Sequence, residues 1–210
     1  MTRIKICGFT RAADITAAVQ SGADAIGFVF YEQSPRHVTL QKAIELAGVA
    51  PPFVAIVGLF VNAKPDFVNG ILESMPLDLL QFHGDETPEY CRQFNKPYIK
   101  AIRVKAGVDL LQCASDFIGA KGLLLDAHVE GIPGGTGATF DWGLIPRNLS
   151  LSVILSGGLD ARNLSLAIEQ VGPYAVDVSS GVEVNKGIKD AEKVAAFINE
   201  VKRIDVQLSR

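Results

Sequence analysis

The sequence predicts an α/β fold, a (βα)8 TIM barrel that forms a single domain over residues 1–205, and three observations lead to this prediction. Short apolar runs rich in branched side chains alternate with amphipathic stretches along the chain. Several of these runs are almost continuously apolar, as expected for parallel strands that are covered on both faces. The runs recur about every 25 residues, close to one strand–helix unit each, and no linker interrupts the series.

The predicted strands and helices alternate in order along the chain. Strands are predicted at 3–7, 25–30, 53–60, 77–82, 97–102, 121–126, 152–156 and 174–178. Helices are predicted at 11–21, 39–49, 64–74, 87–93, 107–117, 160–171 and 190–203. The interval 130–148 is rich in glycine and is predicted to be a long loop with a short or irregular helix. The tail 206–210 is expected to fray.

An open doubly wound sheet is the alternative to a closed barrel. Such a sheet more often carries GxGxxG after its first strand, and here the first strand runs into CGFTR at 7–11. Eight successive units without a break favour the barrel.

Composition and charge argue against several classes of function. The 210 residues are 48% hydrophobic and carry a formal net charge of -3, so the chain can bury a large core and offers no basic cluster for nucleic acid. The longest apolar run, near 51–61, is well short of the roughly 20 residues that span a bilayer. The amino-terminal MTRIKICGFT is not apolar enough for a signal peptide. Three separated cysteines without CxxC, and three histidines without metal-type spacing, predict a reduced, cytoplasmic protein with no metal site.

Two proton-transfer groups end two of the predicted strands. Cys7 closes the run RIKIC, and Asp126 closes GLLLD. In a barrel the carboxyl ends of all strands ring one mouth, where catalysis takes place. A positive charge such as Lys5 would raise the thiolate fraction of Cys7 and suit a general base, and burial after three leucines would favour a protonated Asp126, which suits a general acid. Each residue alone also fits a structural role, as a small buried hydrophobe or as a carboxylate that caps a turn.

Two Gly/Ser turns follow the seventh and eighth predicted strands, SGG at 156–158 and SSG at 179–181. Glycine lets the backbone approach a ligand closely, and exposed amides attract phosphate. Turns at these two places are the usual phosphate site of a barrel, so the sequence predicts a small phosphorylated substrate. Either turn alone also fits an ordinary tight turn, and the GxxxxGK[ST] of a nucleotide-binding loop is absent.

Further polar residues fall at or just past predicted strand ends: Arg36, Gln81, His83, Arg103 and Asp177. The forked guanidinium of Arg36 suits a carboxylate, because it donates two parallel hydrogen bonds. His83 fits either the orientation of a substrate or catalytic group or packing beneath the mouth. The segment GIPGGTG at 131–137 has the composition of a lid over the substrate and equally of a solvated connector.

A series of motifs in chain order carries a resemblance to a known family. They are KICGFT (5–10), GADAIGFVF (22–30), SPR (34–36), LLQFHGDE (79–86), KAIRV (100–104), LLLD (123–126), PGGTG (133–137), FDW (140–142), LSGGL (155–159) and AVDVSSGVE (175–183). Together they resemble the phosphoribosylanthranilate isomerase family of tryptophan biosynthesis over essentially the whole chain. Phe9, where the family often has an aliphatic residue, and Ser156, where alanine is common, are small departures that leave the chemistry intact.

The resemblance implies a cofactor-free Amadori rearrangement of N-(5-phosphoribosyl)anthranilate. Asp126 would be the general acid that protonates the ring oxygen, and Cys7 would be the general base that takes the C2 proton. Arg36 would hold the anthranilate carboxylate. The phosphate would bind to backbone amides around Gly157, Gly158, Ser180 and Gly181. Four further residues would contact the substrate or support the residues that do: Gln81, His83, Arg103 and Asp177. A monomer or homodimer is expected, with a small-molecule substrate and no nucleic-acid or membrane partner.

Other functions remain open at this stage. The sugar isomerase of the histidine pathway is similar in reaction but uses two aspartates, and the cysteine at position 7 argues against it. Indole-glycerol-phosphate synthase relies on lysine and glutamate around the mouth, and neither stands at the required strand ends. A non-catalytic barrel that only binds a phosphorylated metabolite would need the phosphate turns but neither Cys7 nor Asp126. A metal-dependent epimerase would be sensitive to a chelator.

Overall fold

Eight parallel strands close into a barrel in the computed structural model, which describes residues 1–127 and 139–209. Each strand pairs with the next one along the chain, and the eighth pairs with the first. The strands are β1 (Arg3–Cys7), β2 (Ala25–Val29), β3 (Ala55–Phe60), β4 (Leu79–Phe82), β5 (Tyr98–Val104), β6 (Leu123–Ala127), β7 (Val153–Leu155) and β8 (Ala175–Val178). The predicted barrel is therefore confirmed over the alternative open sheet.

Helices surround the barrel between the strands. They are α1 (Ala12–Ser21), α2 (Leu40–Ala47), α3 (Pro65–Ser74), α4 (Pro88–Arg92), α5 (Leu110–Asp116), α6 (Leu164–Val171) and α7 (Ala191–Leu208). Threonine or aspartate side chains cap α2, α4, α5 and α7 by accepting hydrogen bonds from backbone amides of the first turn. In the part of the chain that the structure describes, no helix is long and apolar enough to span a bilayer.

The apolar side chains form one core outside the barrel and one inside it. Alternate residues of a strand face opposite sides, so each strand contributes to both cores. The outer core lies between sheet and helices and includes stacked rings, with Phe30 and Phe60 centroids 5.3 Å apart. The inner core has two groups of buried residues, Ile99, Ala101, Leu124, Ile154 and Ala175 in one and Cys7, Val29 and Leu59 in the other. The interior is thus filled by side chains rather than forming a pore.

Most observed elements begin or end at other residues than predicted; α6, for example, begins at Leu164 instead of 160. Two of these differences have a clear structural cause. β3 begins at Ala55 rather than at 53, because Phe53 has a φ of 71°, a left-handed conformation that a strand does not tolerate. At the other end of the chain α7 continues to Leu208, so residues 206–208 are helical where fraying was expected. Asp205 in this last turn accepts hydrogen bonds from the amide and hydroxyl of Thr2, which ties the helix to the amino terminus.

A short hairpin after β8 is an element that the sequence analysis missed. It consists of β9 (Glu183–Asn185) and β10 (Ile188–Lys189), with Gly187 at a φ of 82° in the turn. Within the interval 130–148, the predicted irregular helix corresponds to a 3₁₀ turn at Trp142–Leu144. The predicted lid at 130–138 lies outside the described residues.

Candidate active site

A cavity opens at the carboxyl ends of the barrel strands and brings most of the predicted site residues together. Strands β1, β4, β6 and β8 contribute Cys7, Gln81, Asp126 and Asp177 to its wall. The loops that follow the strands add Arg36 and His83. The two Gly/Ser turns complete the wall with Ser156, Gly157, Gly158, Ser179, Ser180 and Gly181. Cys7, Asp126 and the two Gly/Ser turns therefore line one cavity.

Cys7 ends β1 and is buried against the neighbouring strand β2. Register pairs Cys7 with Gly27, and a Cβ at position 27 would lie only 2.7 Å from Cys7 Sγ. Glycine is required there because any side chain would take the space of the thiol. Burial raises the pKa of the Cys7 thiol, and the nearby Asp177 carboxylate acts in the same direction, while Lys5 and Lys189 partly offset them. The net direction is upward, which favours the thiol over the thiolate.

A buried ion pair lies below Cys7 inside the barrel. Lys5 is two residues before Cys7 on β1 and faces the same side, and its Nζ lies 2.8 Å from Asp177 Oδ1 on β8. Both side chains are almost fully buried. Burial lowers the pKa of Lys5, but its interactions with the Asp177 carboxylate and with the Cys7 side chain together raise it by more, so its net direction is upward. The barrel interior thus holds a protonated lysine next to the cysteine.

Asp126 is the second-last residue of β6 and is held by two neighbours. Its Oδ1 accepts a hydrogen bond from the Ala127 amide at 2.9 Å, and its Oδ2 lies 3.1 Å from His83 Nε2. The other ring nitrogen, His83 Nδ1, lies 2.9 Å from Gln81 Nε2. A line of three buried side chains thus crosses from β4 to β6 and fixes the orientation of the Asp126 carboxylate.

Two predicted site residues have further features that bear on ligand binding. Gln81 Oε1 is buried without a hydrogen-bond partner among the described residues, although buried polar atoms normally have one. Arg103 is not among the described residues that line the cavity, and its Nη2 lies 3.4 Å from the His83 carbonyl oxygen. Gln81 thus keeps a buried acceptor, unpaired within that part of the chain, in the wall of the cavity, whereas Arg103 contacts the loop that carries His83.

Arg36 takes part in a buried cluster of charges at the rim of the cavity. Its Nε and Nη2 donate to the two carboxylate oxygens of Glu183 at 2.8 and 2.7 Å. Lys189 Nζ donates to Glu183 Oε1 at 2.8 Å and to the Cys7 carbonyl oxygen at 2.6 Å. The two cations lower the pKa of Glu183 against the opposing effect of burial. Sequence reasoning found Arg36 but assigned no role to Glu183 or Lys189.

The two Gly/Ser turns are in direct contact with each other. A Cβ at Gly181 would lie 2.0 Å from the carbonyl oxygen of Leu159, the residue that follows the first turn. Gly157 and Gly158 have φ values of 82° and 62°, which a glycine adopts without strain. Their amides donate no hydrogen bond to another group within residues 1–127 and 139–209. The turns therefore present backbone amides at the wall of the cavity.

These features define the class of protein. Proton-transfer groups at the carboxyl mouth of a closed (βα)8 barrel, beside turns with open amides, are the arrangement of a barrel enzyme that performs acid–base chemistry on a small molecule.

The chain belongs to the N-(5'-phosphoribosyl)anthranilate isomerase family, whose model matches residues 4–200. It is 62% identical over 200 residues to the N-(5'-phosphoribosyl)anthranilate isomerase of Thiobacillus denitrificans, a match that covers 95% of this chain and 98% of that relative.

Solved structures agree with this membership. One is a phosphoribosyl anthranilate isomerase in complex with reduced 1-(o-carboxyphenylamino)-1-deoxyribulose 5-phosphate, with a TM-score of 0.86, 38% identity, and coverage of 97% of this chain and 100% of the other. Another describes monomers of the dimeric enzyme from Thermotoga maritima, with a TM-score of 0.85, 36% identity, and coverage of 96% and 99%. Both match over nearly their full lengths, so the family covers the whole barrel.

Proposed function

We propose that this protein is a cofactor-free isomerase of tryptophan biosynthesis. It converts N-(5-phospho-D-ribosyl)anthranilate into 1-(2-carboxyphenylamino)-1-deoxy-D-ribulose 5-phosphate by general acid–base catalysis. The observation that carries the proposal is that Cys7 and Asp126 line one cavity from separate strands, with the glycine turns on the same wall. The names of the relatives support the same substrate.

Asp126 acts first, as the general acid. It gives its proton to the ring oxygen of the ribose, the bond between C1 and that oxygen breaks, and the electron pair on nitrogen forms the C1=N bond of an iminium ion. The orientation of Asp126 between His83 and the Ala127 amide supports this role, because a general acid must be held within hydrogen-bond distance of its target.

Cys7 acts next, as the general base. The iminium ion makes the C2 proton acidic, and the Cys7 thiolate removes it, so that a C1=C2 bond forms and nitrogen becomes neutral. The resulting enolamine loses the proton of its C2 hydroxyl and gains one at C1, which gives the ketone. In the resting protein Cys7 is a thiol, so it first releases its proton to solvent, and the positive charge of the iminium ion favours this deprotonation.

The remaining residues bind and orient the substrate. Arg36 holds the anthranilate carboxylate, and the backbone amides of the two turns hold the phosphate. The buried Gln81 Oε1 accepts a hydrogen bond from a sugar hydroxyl. Three further residues contact the sugar or support the residues that do: Asp177, His83 and Arg103.

The experiment that tests this proposal is a turnover assay with phosphoribosylanthranilate made in situ, followed by the loss of its fluorescence with EDTA present. We expect turnover in the native chain and a loss of at least ~100-fold in Cys7→Ser and Asp126→Asn, the scale of losing a general base or acid. Cys113→Ser and Asp66→Asn are matched controls on helices and should keep full activity. Binding of the reduced product without turnover would refute the isomerase and support a binding protein.

The oligomeric state that the sequence leaves open is proposed to be a homodimer. The side chain of Phe53 is fully exposed beside an apolar cavity at the amino ends of the strands, lined by Val57, Ile99 and Ile154. A second copy of the chain could cover both. Sedimentation should show a dimer that becomes a monomer in Phe53→Ser and stays a dimer in the control Leu208→Ser, and a monomeric native chain would refute the proposal.

The protein is also proposed to act in the cytoplasm as a single domain. Three cysteines without a disulfide support a reducing compartment, and the continuous barrel supports a single folding unit.

A further inference from the structure

Glu183 is the centre of a buried charge cluster that joins three parts of the mouth. It lies on the hairpin after β8, and its carboxylate contacts Arg36 from the loop after β2. It also accepts from Lys189 on the other strand of the hairpin, and Lys189 Nζ reaches the carbonyl oxygens of Cys7 and Ser179. All three charged side chains are less than one-tenth exposed. Because the cluster is this well buried, solvent does not compete for its hydrogen bonds.

The way in which Glu183 pairs with Arg36 leaves a specific edge of the guanidinium unused. A guanidinium has five N–H donors, and two adjacent edges of it can bind a carboxylate with two parallel hydrogen bonds. Glu183 occupies the edge formed by Nε and Nη2. Nη1 donates to no group within residues 1–127 and 139–209, so the edge formed by Nη1 and Nη2 keeps its donors.

The side chain of Arg36 is also fixed along its length. A Cβ at Gly8 would lie 2.5 Å from Arg36 Cδ and 3.2 Å from its Cβ, so the arginine stem packs directly on the backbone that follows Cys7. Arg36 lines the cavity at the same time. With its stem fixed and one edge paired, the guanidinium has one remaining edge for an anion in the cavity.

We propose that Glu183 is a positioning residue that orients the Arg36 guanidinium and makes the site selective for a substrate that carries an aromatic carboxylate. This inference rests on the proposed function and adds to it the residue that sets the selectivity. Glu183 does not touch the substrate. It acts by holding Arg36 in the one orientation in which the guanidinium can form two hydrogen bonds with the substrate carboxylate.

The test compares two ligands that differ only in the carboxylate. One is reduced 1-(o-carboxyphenylamino)-1-deoxyribulose 5-phosphate, and the other is the same compound with an unsubstituted phenyl ring. We expect the native protein to bind the first at least ~30-fold more tightly, as the loss of a bidentate charged pair implies. In Glu183→Asp the shorter side chain keeps the charge but withdraws from the guanidinium, and this preference should fall to about 3-fold or less, with KM for the substrate raised about tenfold.

A second variant tests the inference without an unbalanced charge in the cluster. Removal of the Glu183 carboxylate alone would leave the cations of Arg36 and Lys189 buried together and could prevent folding. The double variant Glu183→Gln with Lys189→Met removes one charge of each sign and should lose the preference in the same way. The matched control is Glu200→Asp, since Glu200 pairs with Nε and Nη2 of Arg203 in the same geometry on the surface of α7. Glu200→Asp should prefer the ligand with the carboxylate as strongly as the native protein does.

The ratio of the two affinities separates positioning from a general structural role. If Glu183 had a purely structural role, its replacement by aspartate would weaken the binding of both ligands equally and leave the ratio of their affinities unchanged. That result would overturn the inference. A native protein without isomerase turnover would refute the proposed function before any ratio is measured. Turnover with an unchanged ratio in Glu183→Asp would refute this inference alone.

Discussion

His83 Nε2 lies 3.1 Å from Asp126 Oδ2 in the buried wall of the cavity. On the opposite side of the ring, Gln81 Nε2 lies 2.9 Å from Nδ1. An amide nitrogen only donates, so Nδ1 accepts this hydrogen bond, and the neutral imidazole carries its proton on Nε2. Nε2 therefore donates to Oδ2 of Asp126, and the Gln81 amide selects the tautomer that makes this possible.

This relationship predicts a loss of turnover when His83 is replaced by leucine. Asp126 would keep only the Ala127 amide as a hydrogen-bond partner, and displacement of a catalytic group by about 1 Å can cost on the order of 100-fold in rate. We expect kcat to fall about 10- to 100-fold in His83→Leu, with the affinity for the reduced product changed by less than about 3-fold.

Steady-state kinetics and a ligand titration would measure the two quantities. His83→Gln offers a donor near the same place and should recover part of kcat. The control His37→Leu changes a histidine that does not line the cavity. An unaltered kcat in His83→Leu would show that the Ala127 amide alone is enough to hold the acid.

The environment of Cys7 predicts how activity depends on pH. Burial raises the pKa of the thiol, and Lys5 and Lys189 only partly offset this effect. The thiolate fraction rises with pH, so the rate at which Cys7 removes the C2 proton should increase about tenfold per pH unit through neutrality. The increase should end only above the value of about 8.5 that is usual for a free thiol.

The thiolate itself can be titrated by its ultraviolet absorbance, as the difference between the native protein and Cys7→Ser. The midpoint should coincide with the rising limb of the pH profile of C2 proton removal. A midpoint at or below that of a free thiol would contradict the prediction, because it would mean that the two lysines outweigh burial.

Gly27 offers a way to displace the thiol without changing it. In Gly27→Ala the new Cβ would lie 2.7 Å from Cys7 Sγ and 3.2 Å from Cys7 Cα, so the thiol must move. We expect kcat to fall at least about tenfold, and the free energy of unfolding to fall by about 1–3 kcal/mol, which is typical of overpacking.

The control for this variant is Gly70→Ala on α3, where a Cβ would have no atom within 4 Å. Alanine is a better helix former than glycine, so this variant should gain about 0.5–1 kcal/mol and keep its activity. Urea denaturation and steady-state kinetics measure both effects. Equal kcat in Gly27→Ala and the native protein would show that the position of Cys7 Sγ is not critical.

The sequence predicts the barrel well because one signal repeats eight times. Each strand is an apolar run of branched residues, and each except the sixth is followed by an amphipathic stretch, so errors at single elements do not change the fold. The positions of Cys7 and Asp126 follow directly, since both are the last polar group of an apolar run and parallel strands end at the same mouth.

The partners of these residues could not be predicted in the same way. Glu183 and Arg36 are far apart in the chain, and no local pattern indicates that they meet. The hairpin that carries Glu183 did have a local signal, because Lys186 and Gly187 form a two-residue turn between two short strands. That signal was weak since β9 and β10 are only three and two residues long.

The last prediction concerns the stability that Glu183 provides. Replacement by glutamine leaves Arg36 and Lys189 buried without their anion, and breaking a buried ion pair on one side usually costs about 3–5 kcal/mol. The pKa of Glu183 is lowered in the folded protein, mainly because Arg36 and Lys189 outweigh the opposing effect of burial. The stability from the carboxylate is therefore present above its unfolded pKa of about 4.3 and is lost as pH falls through the folded pKa.

The difference in unfolding free energy between the native protein and Glu183→Gln should accordingly be largest near neutral pH and shrink below about pH 4, where the native carboxylate takes up a proton. Urea denaturation of both proteins at several pH values measures this difference, and other carboxylates cancel because both proteins contain them. Glu200→Gln is the control, since its exposed partner Arg203 makes the pair worth no more than about 1 kcal/mol. A difference that stays constant down to low pH would mean that glutamine disturbs packing rather than charge, because packing defects do not depend on protonation of this group.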